Sequence, residues 1–264
     1  MRNHNAPLTH DQILQVAPAV FGTDVHNSRS PRYQHIPTIE VVKALDDYGY
    51  GVSRAQQINS RGGDSSSHYA RHLLTFRPKL GFSDNRVGDT VPEVVLINSH
   101  NGTCSYRLFA GMFRFVCANG LIVGDTFDGL TIQHRGDIIG EVMKGSRKVW
   151  DTIPALTTWY DKAMTTYLSP KEIGNFTEKA MTVRYGEDKP FNPNLLNHVR
   201  RDEDQGNSVW HVFNRIQENL MQGGIDGITA TGRRSVSRPI ARVTKDVVFN
   251  RKLWDVATEI LEAA

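Results

Sequence analysis

Cysteine is nearly absent: Cys104 and Cys117 are the only two in 264 residues. Two thiolates do not complete a tetrahedral zinc site, and no CxxC or HxxxH spacing lies near enough to supply the remaining ligands, so no structural metal is expected. No run of roughly 18 apolar residues occurs, so no membrane-spanning helix and no membrane partner are expected. Nor does an apolar stretch long enough for a signal peptide follow Arg2, which predicts a cytoplasmic protein whose thiols stay reduced. Phosphate-loop chemistry is missing too. Gly62-Gly63 and Gly223-Gly224 lack the Lys-Ser or Lys-Thr ending and the strand-to-helix setting, so no nucleotide cofactor is indicated.

Catalytic constellations are equally thin. Ser99-His100 and Cys104 surround one turn, but neighbours in sequence are not a triad. Glu93, His100, Asp125, Asp128, His134, Asp137 and Glu141 are the candidates for a metal-dependent nuclease, yet Glu93-Val94-Val95 lacks the lysine of a Glu-x-Lys strand. Asp125 and Asp128 suit turns and Asp137 suits a helix start. The chain is therefore expected to position a ligand rather than break a bond.

What is present is an ordinary globular composition, 39% hydrophobic and 22% charged, long enough to bury a core without staples. The net charge of +3 permits nucleic-acid contact without demanding it. Its distribution is more informative. Between Ile225 and Lys245, Arg233, Arg234, Arg238, Arg242 and Lys245 face only Asp226, a local charge of +4.

Periodicity and punctuation predict an α+β fold: an antiparallel sheet with helices in the N-terminal half, over 8–150, and a mainly helical C-terminal half, over 151–264, with a basic loop at 225–245. Thr9 is placed to cap a short helix that Pro18 and Gly22 end, and Thr38 to cap a second that Gly49 stops. Val52–Asn59 and His68–Arg77 read as strands around a Gly/Ser-rich tip. In the second, Tyr69, Arg71, Leu73, Thr75 and Arg77 share one face, and His68, Ala70, His72, Leu74 and Phe76 the other. Asn101-Gly102 marks a hairpin between Pro92–Ile97 and Thr103–Leu108. Phe109–Ala118 reads as a buried helix, with a strand as the alternative, because short apolar runs are ambiguous. Leu130–His134 is a last short strand and Asp137–Lys148 a helix continuing past Trp150. Helices follow over Leu156–Leu168 and over Pro170–Tyr185, the latter with Ser169 as cap. Phe191–Gly206 is a polar loop. Trp210, Phe213, Ile216, Gln217 and Leu220 form one face of a helix ended by Gly223-Gly224, and Leu253, Val256, Ala257, Ile260 and Leu261 dock a terminal helix.

Several segments carry a resemblance: Leu8–His10, Pro18–Gly22, Ser28–Tyr33, Ile36–Thr38, Pro92–Thr103, Gly111–Leu121, Gly136–Ile138 and Arg215–Leu220. In these the chain resembles, from residue 8 to about 254, an enterobacterial family of uncharacterised proteins borne by prophages and plasmids and filed under a domain of unknown function. Asp is usual in that family where Asn101 stands here, and Asn suits the same turn. The resemblance implies no catalytic residues. The order of elements over Thr38–Gly120, read as a helix, a three-stranded antiparallel sheet and a further helix, is also similar to that of phage single-strand annealing proteins. That likeness is one of topology, which does not fix function.

A DNA-binding protein of a mobile element follows as the expectation, acting as a single-strand annealing or recombination accessory factor and assembling from copies of itself. Arg233, Arg234, Arg238, Arg242 and Lys245 would track the backbone of single- or double-stranded DNA. A structured groove would add Arg29, Arg32, Arg54, Arg71, Arg77 and Arg114, with Tyr33 and Tyr69 for stacking. Against this stand a merely solvated loop and strand arginines lying along an exposed sheet face. The alternative function is a protein-interaction factor that modulates a host defence or replication protein, with the basic loop on an acidic surface.

Overall fold

A computed structural model describes residues 6–24, 35, 37–57, 68–82, 90–101, 104–114, 121–122, 130–132, 136–187, 190–228, 231–240 and 243–264. It has two compact units: Met1–Gly120 with Phe127–Ile153, and Leu121–Thr126 with Pro154–Ala264.

The first unit begins with α1, His10–Val16, where Thr9 and Gln12 exchange the two bonds of a capping box. Helix α2, Thr38–Asp47, follows, then β1, Tyr50–Gln57, β2, His72–Pro78, β3, Thr90–Asn98, and β4, Tyr106–Arg114. Strands β1 to β4 pair antiparallel in sequence order. Beyond the two-residue strand β5, Leu121–Ile122, the strand β6, Leu130–Ile132, pairs antiparallel with β4. Helix α3, Ile138–Asp151, is capped by the Asp137 side chain and packs on β3, β4, β6 and α2.

Two expectations are corrected here. Phe109–Arg114 continues β4 rather than starting a helix, because its backbone stays in register with β3 as far as Arg114 opposite Thr90. Of the rest of Phe109–Ala118, residues 115–118 lie outside the described residues. Thr38 is the first helical residue of α2 and not its cap; Pro37 holds the cap position without a side-chain bond. The Thr38 hydroxyl is committed elsewhere. Its Oγ1 lies 2.9 Å from His72 Nε2, 3.3 Å from His100 Nε2 and 3.0 Å from Asn98 Nδ2, which donates to it. Since His72 Nδ1 lies 3.0 Å from the Ala70 carbonyl, it carries the proton, Nε2 accepts from Thr38, and the helix is tied to the ends of β2 and β3.

All six residues from His72 to Arg77 are buried, so both faces of β2 are covered and the period of two separates no solvent face. Arg77, expected to face a nucleic acid, is 0% exposed. Its Nε donates to Glu93 Oε1 at 2.7 Å across β2 and β3. Ser53, at the register shift in β1, donates to the same oxygen at 2.8 Å, and Thr75 Oγ1 lies 2.7 Å from Ser53 Oγ. Three strands are thereby joined through one carboxylate.

The second unit opens with α4, Ile153–Thr165, and α5, Pro170–Tyr185, capped as expected by Ser169 in a box with Glu172. Helix α6, Val209–Gln222, runs through its core, and the expected single apolar face is too narrow a description: Asn214, Arg215, Gln217, Glu218 and Asn219 are buried as well. Arg215, Glu218 and Asn219 bind the segment before them, while Gln217 donates to Asn250 of the last helix. Arg215 donates to Asn197 Oδ1 and to the carbonyls of Asp204 and Gly206. Asn219 Nδ2 lies within 2.9 Å of the Leu196 and His198 carbonyls while its Oδ1 accepts from Arg200. Arg201 grips Glu218 through two nitrogens. The terminal helix α7, Val243–Ala263, buries Leu253, Ala257, Ile260 and Leu261. Its Trp254 lies 3.9 Å, ring to ring, from Trp159 of α4.

The segment expected as a basic loop is instead a two-stranded hairpin, β7, Asp226–Ile228, and β8, Arg234–Val236, followed by the first turns of α7. Among the described residues, no helix is long and apolar enough to cross a membrane.

Removing one partner of a buried ion pair strands the other charge, at a cost of about 3–5 kcal/mol. Glu93→Gln is expected to lower stability by that amount in urea titration, and the double variant Arg77→Met with Glu93→Leu to recover most of it. A single variant within about 1 kcal/mol of the parent would refute the role given to the pair. In the second unit, Asn219→Leu removes donors to two carbonyls and should accelerate amide exchange over 196–206 ahead of global unfolding; unchanged exchange there would show that the segment is held by other means.

Candidate functional site

The hairpin leads to the site. Ile228 N donates to the Pro190 carbonyl at 2.7 Å, and Phe191 bridges Gly227, so β7 lies directly on the 190–191 backbone. Gly227 permits that approach, since a Cβ there would collide with the Pro190 carbonyl and the Phe191 ring. On the other side, Gly224 N donates to the Ser237 carbonyl and Ile240 N to the Met221 carbonyl, which anchors the strand after β8 to the end of α6. Gly223 turns the chain at φ +70°, close enough to Ser237 that a Cβ would stand 2.6 Å from its carbonyl.

Between the hairpin, the end of α5 and the body of α7 lies a groove of about 1010 Å³. Its walls carry Arg184 and Tyr185 from α5, Arg238 and Pro239 after β8, and Phe249 and Lys252 from α7, and no carboxylate lines it among the described residues. Phe191 also lines it, 4.8 Å from the Tyr185 ring. The Arg184 guanidinium lies 5.0 Å from the centre of the Tyr185 ring and donates through Nη2 to the Arg238 carbonyl. Its Nη1 is buried without a hydrogen-bond partner among the described residues. Burial lowers the Arg184 guanidinium from its usual value, opposed by Tyr185, and an arginine so shifted still carries its charge. Burial likewise pushes the Tyr185 hydroxyl up, against the pull of Arg184 and Ser237, so the phenol stays neutral and adds no negative charge to the groove. Such a surface offers cations to an anionic chain and the half-buried Tyr185 ring, backed by the buried Phe191 and Phe249, to a planar group.

The residues expected from sequence are distributed as follows. Arg238 lines this groove. Arg233 and Arg234 are exposed at the hairpin, Arg234 beside Asp226 in an adjoining depression that also contains Phe191. Arg29, Arg32, Tyr33 and Arg242 lie outside the described residues. Lys245 falls in the first turns of α7, and Arg114 at the end of β4, with no side-chain description for either. In the first unit, Arg54 is half-buried and donates to Gln56 at 2.6 Å, Arg71 and Tyr69 are half-buried, and Arg77 is spent inside the sheet. Arg184, Tyr185, Phe191 and Lys252 had no sequence signal of function. They reach one groove only because the hairpin is seated between helices distant in the chain.

The candidate nuclease carboxylates take structural posts where they are described. Glu93 neutralises Arg77, Asp137 caps α3 and Glu141 pairs with Lys144 at 3.1 Å. His100 joins the Thr38 cluster, while Asp125, Asp128 and His134 lie outside the described residues. Among the described residues, no group of three or more His, Cys, Asp or Glu is disposed to hold a metal. Cys104 is a buried cysteine whose thiol pKa burial raises against the pull of Arg71 and Arg107, and Cys117 is outside the described residues.

Known proteins include near-full-length relatives of this chain. The chain is similar to the UPF0380 protein YafZ of Escherichia coli K12, 36% identical over 97% of this chain and 92% of the relative. It is equally similar to the UPF0380 protein YfjQ of the same organism, again 36% identical over 97% and 92%. No solved structure matches. The model of a domain of unknown function, DUF932, matches residues 25–254, and with those relatives it shows that this chain belongs to the DUF932 family.

Proposed function

We propose that this protein binds DNA through the groove of its second unit, as a single-strand annealing or recombination accessory factor of a prophage or plasmid. The observation carrying the reading is the groove itself: among the described residues its lining has the cations Arg184, Arg238 and Lys252, aromatic rings and no carboxylate. Phosphates are attracted without regard to sequence, and Arg233 and Arg234 extend the positive surface along the hairpin. Ring faces favour unpaired bases, which a duplex keeps stacked. Annealing needs positioning rather than bond breaking, in keeping with a site built of donors and rings. Of the order expected over Thr38–Gly120, helix α2 and an antiparallel sheet are present, but β4 stands where the closing helix was expected, so the likeness to annealing proteins adds little to the groove.

The test is fluorescence anisotropy with labelled single- and double-stranded oligonucleotides over a range of salt. Affinity for single strands should exceed that for duplex and fall steeply as salt rises. Charge reversal of Arg233, Arg234 and Arg238 to Glu should weaken binding to all sequences alike and flatten the log–log salt slope by about 2, at ~0.7 per lost phosphate contact. An unchanged slope in the triple variant would remove the hairpin from the mechanism. No binding by the parent at low salt would favour an acidic protein surface as the partner instead.

A further inference from the structure

A second pocket, of about 420 Å³, lies in the first unit where α2 ends, β1 begins and α3 makes its last turns, and it shares no residue with the groove. Three aromatic side chains line it. Tyr48, the residue after α2, is 63% exposed, so its ring is open to a ligand. Tyr50 and Trp150 stand 5.1 Å apart, ring to ring, and are tilted by 56°, so they form a corner with two faces rather than a closed stack. Cations complete the lining: among the described residues, Lys144, Arg147 and Lys148 stand against one carboxylate, Asp151. Lys144 is paired with Glu141, whereas Arg147 and Lys148 are exposed and have no ion-pair partner among the described residues. Ser146, also in the lining and 5% exposed, keeps its hydroxyl without a hydrogen-bond partner among the described residues.

We propose that this pocket binds a nucleoside monophosphate unit whose base carries an exocyclic amino group, with dAMP as its probe, the base against Tyr48, Tyr50 and Trp150 and the phosphate on Arg147 and Lys148. The volume falls within the about 300–1,000 Å³ typical of small-ligand sites. Two helices end beside it, and their C-terminal carbonyls favour a base that presents amino donors, while the same partial negative charge makes the two cations necessary for holding a phosphate. Burial pushes the Tyr50 hydroxyl up, with Arg147 pulling the other way, so at neutral pH it remains a donor and does not repel the phosphate. The unit can be a free nucleotide or an unpaired residue of a strand. The chemistry is the same, and the inference does not rest on the groove of the second unit.

The experiment is calorimetric titration of the full chain with dAMP, and then with dAMP in the presence of a short oligo(dA). The variants are Arg147→Glu and Tyr48→Ala, the latter at so exposed a position that folding is expected to be untouched, checked by circular dichroism. Saturable dAMP binding is expected, weakened about tenfold by Arg147→Glu and about fivefold or more by Tyr48→Ala. Competition by oligo(dA) that persists when Arg233, Arg234 and Arg238 are reversed identifies a strand as the source; dAMP binding without competition identifies a free nucleotide. Absence of dAMP binding, or equal affinity in the parent and both variants, overturns the proposal. Loss of oligonucleotide binding in the hairpin variant with dAMP binding retained bears on the groove alone.

Discussion

A guanidinium leaves water only if something in the interior replaces its hydration, and that constraint sorts the arginines of this chain into two sets. Arg77 and Arg215 are enclosed, the first against Glu93 and the second among the Asn197 side chain and the carbonyls of Asp204 and Gly206. Each organises its surroundings: Arg77 shares a carboxylate with Ser53 across three strands, and Arg215 fixes the backbone leading into α6. Arg233, Arg234 and Arg238 are left in solvent. Arg184 is intermediate, half-buried with one nitrogen on a carbonyl and another unsatisfied among the described residues, a state that suits an incoming oxygen acceptor.

The same logic gives the groove its form. A basic segment without structure would pay to become ordered on each binding event, whereas here the segment is already folded as a hairpin. Gly227 lets β7 lie on Phe191, Gly223 turns α6 into the strand pair, and the Ser237 and Ile240 contacts hold its return. Cations and rings from α5, the hairpin and α7 are thus set in position before a ligand arrives.

Local chemistry was legible in the sequence wherever it depended on neighbours in the chain. Thr9 with Gln12 and Ser169 with Glu172 form the capping boxes that their spacing implies, Asp137 caps α3, and the antiparallel pairs appear where the turn residues fall. Contacts distant in the chain were not legible. Thr38 looked like a cap because nothing nearby revealed His72 and His100, and Phe109–Arg114 was ambiguous until β3 supplied a pairing partner. Arg77 read as a surface arginine because a period of two cannot say whether the second face of a strand is covered. The basic residues of 233–245 were plain in composition; Arg184, Tyr185, Phe191 and Lys252 were not, since only the tertiary fold brings them to one groove.

The central claim is that a nucleic-acid strand lies along that groove, and photo-crosslinking locates a strand most directly. A single-stranded oligonucleotide carrying a photoreactive thymine analogue would be irradiated with the full chain and the attachment sites mapped by mass spectrometry. Salt-sensitive crosslinks at Tyr185 and within 233–252 are the predicted result. Crosslinks confined to other segments, or none at low salt, would contradict the account.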